Sequence, residues 1–293
     1  MKPSAFDYLA PHSLDEACNA LAQHGAHARV LAGGQSLIPL LNLRLVRPRL
    51  LIDIGYIEEL RYIREHNGAL CIGAGTSQRD VEFHSAGERL PILREVLHHV
   101  GYPTIRNRGT ICGSLAYADP TAELPLALLA LNGSVIARSI SGMREIQARD
   151  LYLGPFASSL RPDELLTEAR FPLPSIGTRV EFAQFDFRRR AIKITALATA
   201  QLHDGECEHL TLALAGVAGT PLLLSAPAGE VLVGTQPTSE RIAEAARLCT
   251  RGLTPAEDRY GSARYRMHTA TRLLQQVLER VFGLDSQRDG AAA

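Results

Sequence analysis

Arg29-Val30-Leu31-Ala32-Gly33-Gly34-Gln35-Ser36-Leu37-Ile38 and Arg106-Asn107-Arg108-Gly109-Thr110-Ile111-Cys112-Gly113-Ser114 are the two stretches on which the reading of this chain turns. Each follows an apolar or helical segment and offers bare backbone amides flanked by hydroxyls, those of Ser36, Thr110 and Ser114. Glycine lets the main chain approach a ligand closely, and successive N–H groups form an anion-binding concavity without a lysine or arginine. Either stretch alone is weak evidence, since Gly-Gly and Arg-Gly most often mark ordinary turns. Two of them in one half of the chain predict a phosphate-bearing cofactor.

Working outward, Ser13 to Gly25 is predicted to be a helix, with Ser13 and Glu16 spaced as a capping box and Gly25 as the stop. A short strand, Arg29-Val30-Leu31, runs into the first loop, and the apolar residues from Leu37 to Leu45 are expected to pack beneath it. Leu50 to Ile54, Leu70 to Ile72 and Ser134 to Ala137 read as strands, and Leu93 to Leu97 as part of an amphipathic helix ending at Gly101. The adjacent His98 and His99 are a helix-end feature, since neighbouring helical residues point about 100° apart and seldom share a metal. After Ser114, Thr121 can cap a helix that Gly133 ends, and Asp119 and Glu123 are expected to face one neighbourhood. Pro162, Pro172 and Pro174 lead to a domain boundary near Gly177.

Beyond it, Thr195 to Leu202 and Leu210 to Val217 flank His203-Asp204-Gly205, whose Asp-Gly pair predicts a hairpin. Two helices are expected, Thr238 to Gly252 and Ser262 to Gly283, the second with Leu273, Leu274, Val277, Leu278 and Val281 at helical spacing. The predicted class is α+β throughout, with residues 1–177 and 178–284 as domains and 285–293 as a disordered tail.

Composition narrows the function. The 293 residues are 46% hydrophobic and 21% charged, as in a globular protein with a sizeable core, and 31 basic residues balance 31 acidic ones. No basic field exists to attract nucleic acid. The N-terminus lacks the apolar stretch of a secretory signal and no run approaches the roughly 18 apolar residues of a membrane span, so the cytoplasm is the expected compartment. Cys18, Cys71, Cys112, Cys207 and Cys249 are too scattered for a zinc or iron–sulfur site, and no metal is expected in this chain. The Gly-x-Gly-x-x-Gly fingerprint of a Rossmann unit is missing from the loops, so the cofactor would sit on another scaffold.

Both loops, with Pro39, Asn42-Leu43-Arg44 after the first and Ala118-Asp119-Pro120-Thr121-Ala122-Glu123-Leu124-Pro125 after the second, resemble the medium subunits of molybdenum hydroxylases. That family includes the flavoprotein subunits of carbon monoxide dehydrogenases and the flavin portion of xanthine dehydrogenases. The resemblance runs from about Phe6 to Phe282 and takes in Asp163-Glu164-Leu165-Leu166 and Ser262-Ala263-Arg264-Tyr265-Arg266. It implies an N-terminal FAD-binding domain of the PCMH or vanillyl-alcohol-oxidase type, made of two α/β subdomains, followed by a smaller C-terminal α+β domain with an antiparallel sheet.

It further implies noncovalent FAD. The amides from Leu31 through Ala32, Gly33, Gly34, Gln35, Ser36 and Leu37 to Ile38 would clasp the pyrophosphate. Those of Thr110, Ile111, Cys112, Gly113 and Ser114, following Gly109, would help hold the ribityl and phosphate portion. Val100, Asp119, Glu123 and, near the ring, Leu166 complete the implied contacts. Cys112 departs from the family's usual glycine and is expected to be a buried, inert thiol. Arg188-Arg189-Arg190 departs from a usual acidic residue and reads as a solvated face or a subunit contact.

The implied function is an electron-relaying FAD subunit. Its partners would be a large subunit with a molybdenum cofactor and a small one with two [2Fe-2S] clusters, in a heterotrimer that can dimerise, and the final acceptor would be external. A stand-alone NAD(P)H-dependent flavin reductase of the related fold is the rival, and a cofactor-free scaffold a third reading.

Overall fold

The computed structural model describes residues 2–187 and 191–284. Arg188, Arg189 and Arg190 and the tail 285–293 lie outside the described residues, and with them the readings made of both. The chain gathers into two compact units. The first comprises residues up to Asp119 together with Asn132–Leu173, and the second comprises Pro120–Leu131 and the chain from Pro174 onward. A linear boundary near Gly177 therefore leaves one part of the packing undescribed, because Pro120–Leu131 belongs with the later sequence.

Two sheets build the first unit. In the smaller, Leu50–Asp53 lies between Asp7–Leu9 and Ala28–Leu31, all parallel. Helix Leu14–His24 accompanies it, with the Ser13 hydroxyl accepting the Glu16 amide and Gly25 ending it at φ +47°. The capping box is displaced by one residue, since the Glu16 carboxylate takes the amide of His12 instead of that of Ser13. In the larger sheet Leu165–Pro172 is central, antiparallel to Ala69–Gly73 on one side and Ser134–Ser139 on the other, with Ile63–His66 and Gly142–Gln147 at the edges.

The run from Leu37 to Leu45 behaves otherwise than expected. It forms a short helix, Leu37–Asn42, that buries Leu41 alone, and Ile38, Leu43 and Leu45 stay 40%, 56% and 68% exposed. A helix of six residues has room for one inward turn, and Arg44 at φ +56° then reverses the chain.

In the second unit Arg179–Phe187, Ile192–His203, Glu206–Ala215 and Leu222–Leu223 form an antiparallel sheet in that order. The predicted hairpin is present, with Asp204 and Gly205 both at positive φ, as its tight turn requires. On one face Ile192, Ile194, Ala196 and Ala198 meet helices Ser225–Leu232, Ser239–Thr250 and Ala263–Phe282. All five residues predicted by spacing in the last helix are buried.

The sheet also packs against helix Glu123–Ala130, buried along its whole length. The N-cap position of that helix is held by Ala122, not by Thr121, with no side-chain bond. The segment is held instead by tertiary bonds, with the Gly216 amide donating to the Pro120 carbonyl at 3.1 Å.

Candidate functional site

The first loop leaves strand Ala28–Leu31 and turns through Gly34 at φ +73° before the helix begins. The Gly34 carbonyl accepts from Ile38 at 3.0 Å, and Gln35 Nε2 donates to the Gly33 carbonyl at 3.3 Å. Among the described residues, the amides of Gly33, Gly34, Gln35 and Ser36 find no acceptor in the chain. None of these four residues is buried, so the donors are open to solvent or a ligand. The four lie in succession on a turn that passes through the left-handed region at Gly34, a backbone type from which anion-binding concavities are built.

Gly33 also has a steric reason. A Cβ there would lie 2.0 Å from the Arg108 carbonyl oxygen and 2.7 Å from Gly109 Cα. The two loops are therefore in backbone contact, and a side chain at 33 would strike the second loop, whatever ligand is present.

The second loop is differently engaged. Gly109 donates its amide to the Ile105 carbonyl at 2.7 Å. Thr110 caps helix Ile111–Tyr117, its hydroxyl accepting the Gly113 amide at 3.0 Å, while the Ser114 amide donates to the Thr110 carbonyl at 3.2 Å. Two of the amides that the resemblance would turn toward a cofactor, those of Gly113 and Ser114, already have partners within the chain. Gly113 is fixed by this cap, since a Cβ would lie 2.8 Å from Thr110 Oγ1.

Cys112 is buried, its thiol directed at the Ile72 carbonyl 3.7 Å away. Burial pushes that thiol far above the usual cysteine range, as the reading of an inert small side chain expects. All five cysteines are free and buried.

Of the remaining residues, Val100 lies between helices Pro91–His99 and Pro103–Arg106, and its carbonyl accepts from Arg106 Nη1 at 3.1 Å. Leu166 is buried on the central strand, and half-buried Asp119 follows Ala118 at φ +54°. Glu123 belongs to the second unit, where its Oε1 lies 3.1 Å from Lys193 Nζ, both side chains more than nine-tenths buried. Lys193 was not singled out in the sequence; it stands in an apolar strand where no pattern marks it. His98, read as a helix-end residue, is paired 2.9 Å from Glu82.

The sequence reading also missed helix Gln78–Phe83, although Ser77 and Asp80 announce it as a reciprocal capping box. The Gln78 amide donates to the Gly109 carbonyl at 2.7 Å, and Gln78 Nε2 to the Thr110 carbonyl at 3.3 Å.

A parallel-sheet layer beside an antiparallel one, with glycine loops meeting backbone to backbone, followed by an antiparallel sheet under helices, defines a two-part cofactor-binding protein. Residues 4–174 match the family of the FAD binding domain in molybdopterin dehydrogenase, and residues 181–281 the CO dehydrogenase flavoprotein C-terminal domain. The chain is 37% identical over 281 residues to the 6-hydroxypseudooxynicotine dehydrogenase complex subunit alpha of Paenarthrobacter nicotinovorans, covering 95% of each chain. It is 36% identical over 285 residues to the carbon monoxide dehydrogenase medium chain of Afipia carboxidovorans, covering 96% and 98%. The solved carbon monoxide dehydrogenase of Hydrogenophaga pseudoflava superposes with a TM-score of 0.92 at 33% identity, over 97% of this chain and 99% of that one.

The chain belongs to the FAD-binding medium subunits of the molybdenum hydroxylases. It is the flavoprotein component of an oxidoreductase, and the full-length match to subunits of complexes separates it from a stand-alone reductase.

Proposed function

We propose that the amides of Gly33, Gly34, Gln35 and Ser36 receive the pyrophosphate of noncovalently held FAD, with Leu31, Ala32, Leu37 and Ile38 around it. The observation that supports this is the run of four amides without a partner among the described residues. An elongated dinucleotide needs an anion cradle at its middle, and main-chain donors supply one without a fixed positive charge. The second loop, Gly109 to Ser114 and its approach at Val100, would contribute mainly by shape, pressing on Gly33. Asp119, Glu123 and Leu166 are further contacts supported by the family resemblance alone. Residues 1–177 would form the FAD-binding domain and 178–284 the C-terminal one.

Bound FAD supplies a carrier that exchanges electrons singly or in pairs. This chain's residues hold and shield it, and no side chain of the loops need act as acid, base or nucleophile. The chain takes electrons from the [2Fe-2S] clusters of a small partner, which receives them from a large molybdenum-cofactor subunit, and passes them to an external acceptor. Five unpaired, buried thiols suit the reducing cytoplasm, and no helix among the described residues is long and apolar enough to cross a membrane.

The test is reconstitution of the full chain with FAD. Flavin absorbance should return in the wild type and be lost in Gly34→Val, and turnover of the complex's substrate should require both partners. A Gly34→Val chain that retains flavin as the wild type does would overturn the assignment of the cradle.

A further inference from the structure

We propose that helix Gln78–Phe83 positions the cofactor loops, with Gln78 and Glu82 as its two positioning residues. The inference rests on the reading that the loops hold FAD. Gln78 and Glu82 are one turn apart and on one face of the helix, and both are buried. Gln78 holds the second loop at two successive carbonyls, Gly109 through its backbone amide and Thr110 through its side chain. Glu82 accepts from Arg106 Nε at 2.9 Å and from Nη2 at 3.3 Å, which fixes the chain just before the loop. His98 Nδ1, 2.9 Å from the same carboxylate, and Arg94 Nε, donating to the Glu82 carbonyl at 2.8 Å, tie the next helix to it.

Through these bonds the Arg108 carbonyl and Gly109 are held where they meet Gly33. The order of action is therefore helix, second loop, Gly33, and then the unengaged amides that follow Gly33.

The Gln78 side chain carries the sharper argument. Its Oε1 is buried with no hydrogen-bond partner, an arrangement that costs stability, and it is sealed from solvent and so from any ligand. A methionine would fill the same volume without an orphaned acceptor. What the amide alone supplies is the donor to Thr110, so its contribution lies in where it holds the loop. A loop already fixed before the ligand arrives loses less freedom on binding, and affinity reports that difference.

The experiment compares wild type, Gln78→Met and Gly34→Val as full chains. It measures the FAD dissociation constant by quenching of flavin fluorescence, the visible circular dichroism of bound flavin, and the melting temperature without FAD. Gln78→Met should bind FAD about tenfold more weakly with an altered dichroic band, while its cofactor-free melting temperature stays level or rises. Glu82→Gln, which keeps an acceptor for Arg106, should weaken binding about threefold and serves if Gln78→Met does not fold.

If Gly34→Val loses FAD while Gln78→Met and Glu82→Gln bind as the wild type does, the positioning role is overturned and the loop assignment stands. A fall in the cofactor-free melting temperature that accounts for the lost affinity would also overturn it, since the role would then be structural. If Gly34→Val binds normally, the loop assignment fails and the inference with it.

Discussion

In the first loop the amides from Gly33 to Ser36 lack an acceptor among the described residues, whereas in the second those of Gly109, Gly113 and Ser114 are bonded within the chain. The two segments look alike as sequence, small residues with hydroxyls beside them. Their glycines nevertheless answer different needs. Gly34 serves a positive φ and exposed donors, while Gly33 and Gly113 are small because backbone or a capping hydroxyl occupies the place of a side chain. A glycine-rich loop is therefore evidence of a ligand only after its amides have been followed to their acceptors.

The contrast can be broken most forcefully at Gly33. With the Arg108 carbonyl oxygen 2.0 Å from where its Cβ would sit, Gly33→Val should separate the loops and cost about 3 kcal/mol or more, as severe overpacking does. Denaturant unfolding would show the loss together with absent flavin absorbance, and a protein of wild-type stability would mean that the loops are not in contact.

Gly34→Ala comes next, since φ +73° disfavours any side chain by roughly 1–2 kcal/mol. Flavin affinity should fall more than the unfolding midpoint moves, because the free amides share this turn.

Thr110→Val sharpens the other side. Loss of the cap should cost about 1 kcal/mol, seen in thermal unfolding, with flavin affinity changing less than in Gly34→Ala. The reverse ranking would make the second loop the principal grip.

The smallest effect is expected at Cys112, where burial keeps the thiol protonated at neutral pH. Native protein should react with a thiol reagent only after unfolding, and rapid labelling of Cys112 by mass spectrometry would place it at an open surface.

Local signals were legible wherever one residue settles its own geometry. Ser13, Thr238 and Ser262 each cap the helix expected of them, and Asp204-Gly205 makes its hairpin. The family and its cofactor were legible because the two loops carry enough consecutive residues to be specific. What could not be read were choices made by distant neighbours. Leu43 and Leu45 are apolar yet exposed, since the helix stops at Asn42 and the chain turns at Arg44. Glu123 finds its partner in Lys193 across a tertiary contact, and Gln78 reaches Thr110 from a helix that carries no sign of the loop. Whether an amide in the second loop is free depends on Ile105 and Thr110 geometry that composition does not encode.

Helix Glu123–Ala130 is encoded between the strands of one unit and buried in the other. A nascent chain leaving the ribosome therefore exposes eight positions that the fold buries, all but Glu123 apolar, before the sheet that shelters them, Arg179 onward, has been synthesised. The first unit can close its central strand Leu165–Pro172 during translation, but this inserted helix must wait. A gene divided at the linear boundary would strand the helix on the wrong half, so the two halves should be soluble together and aggregate apart.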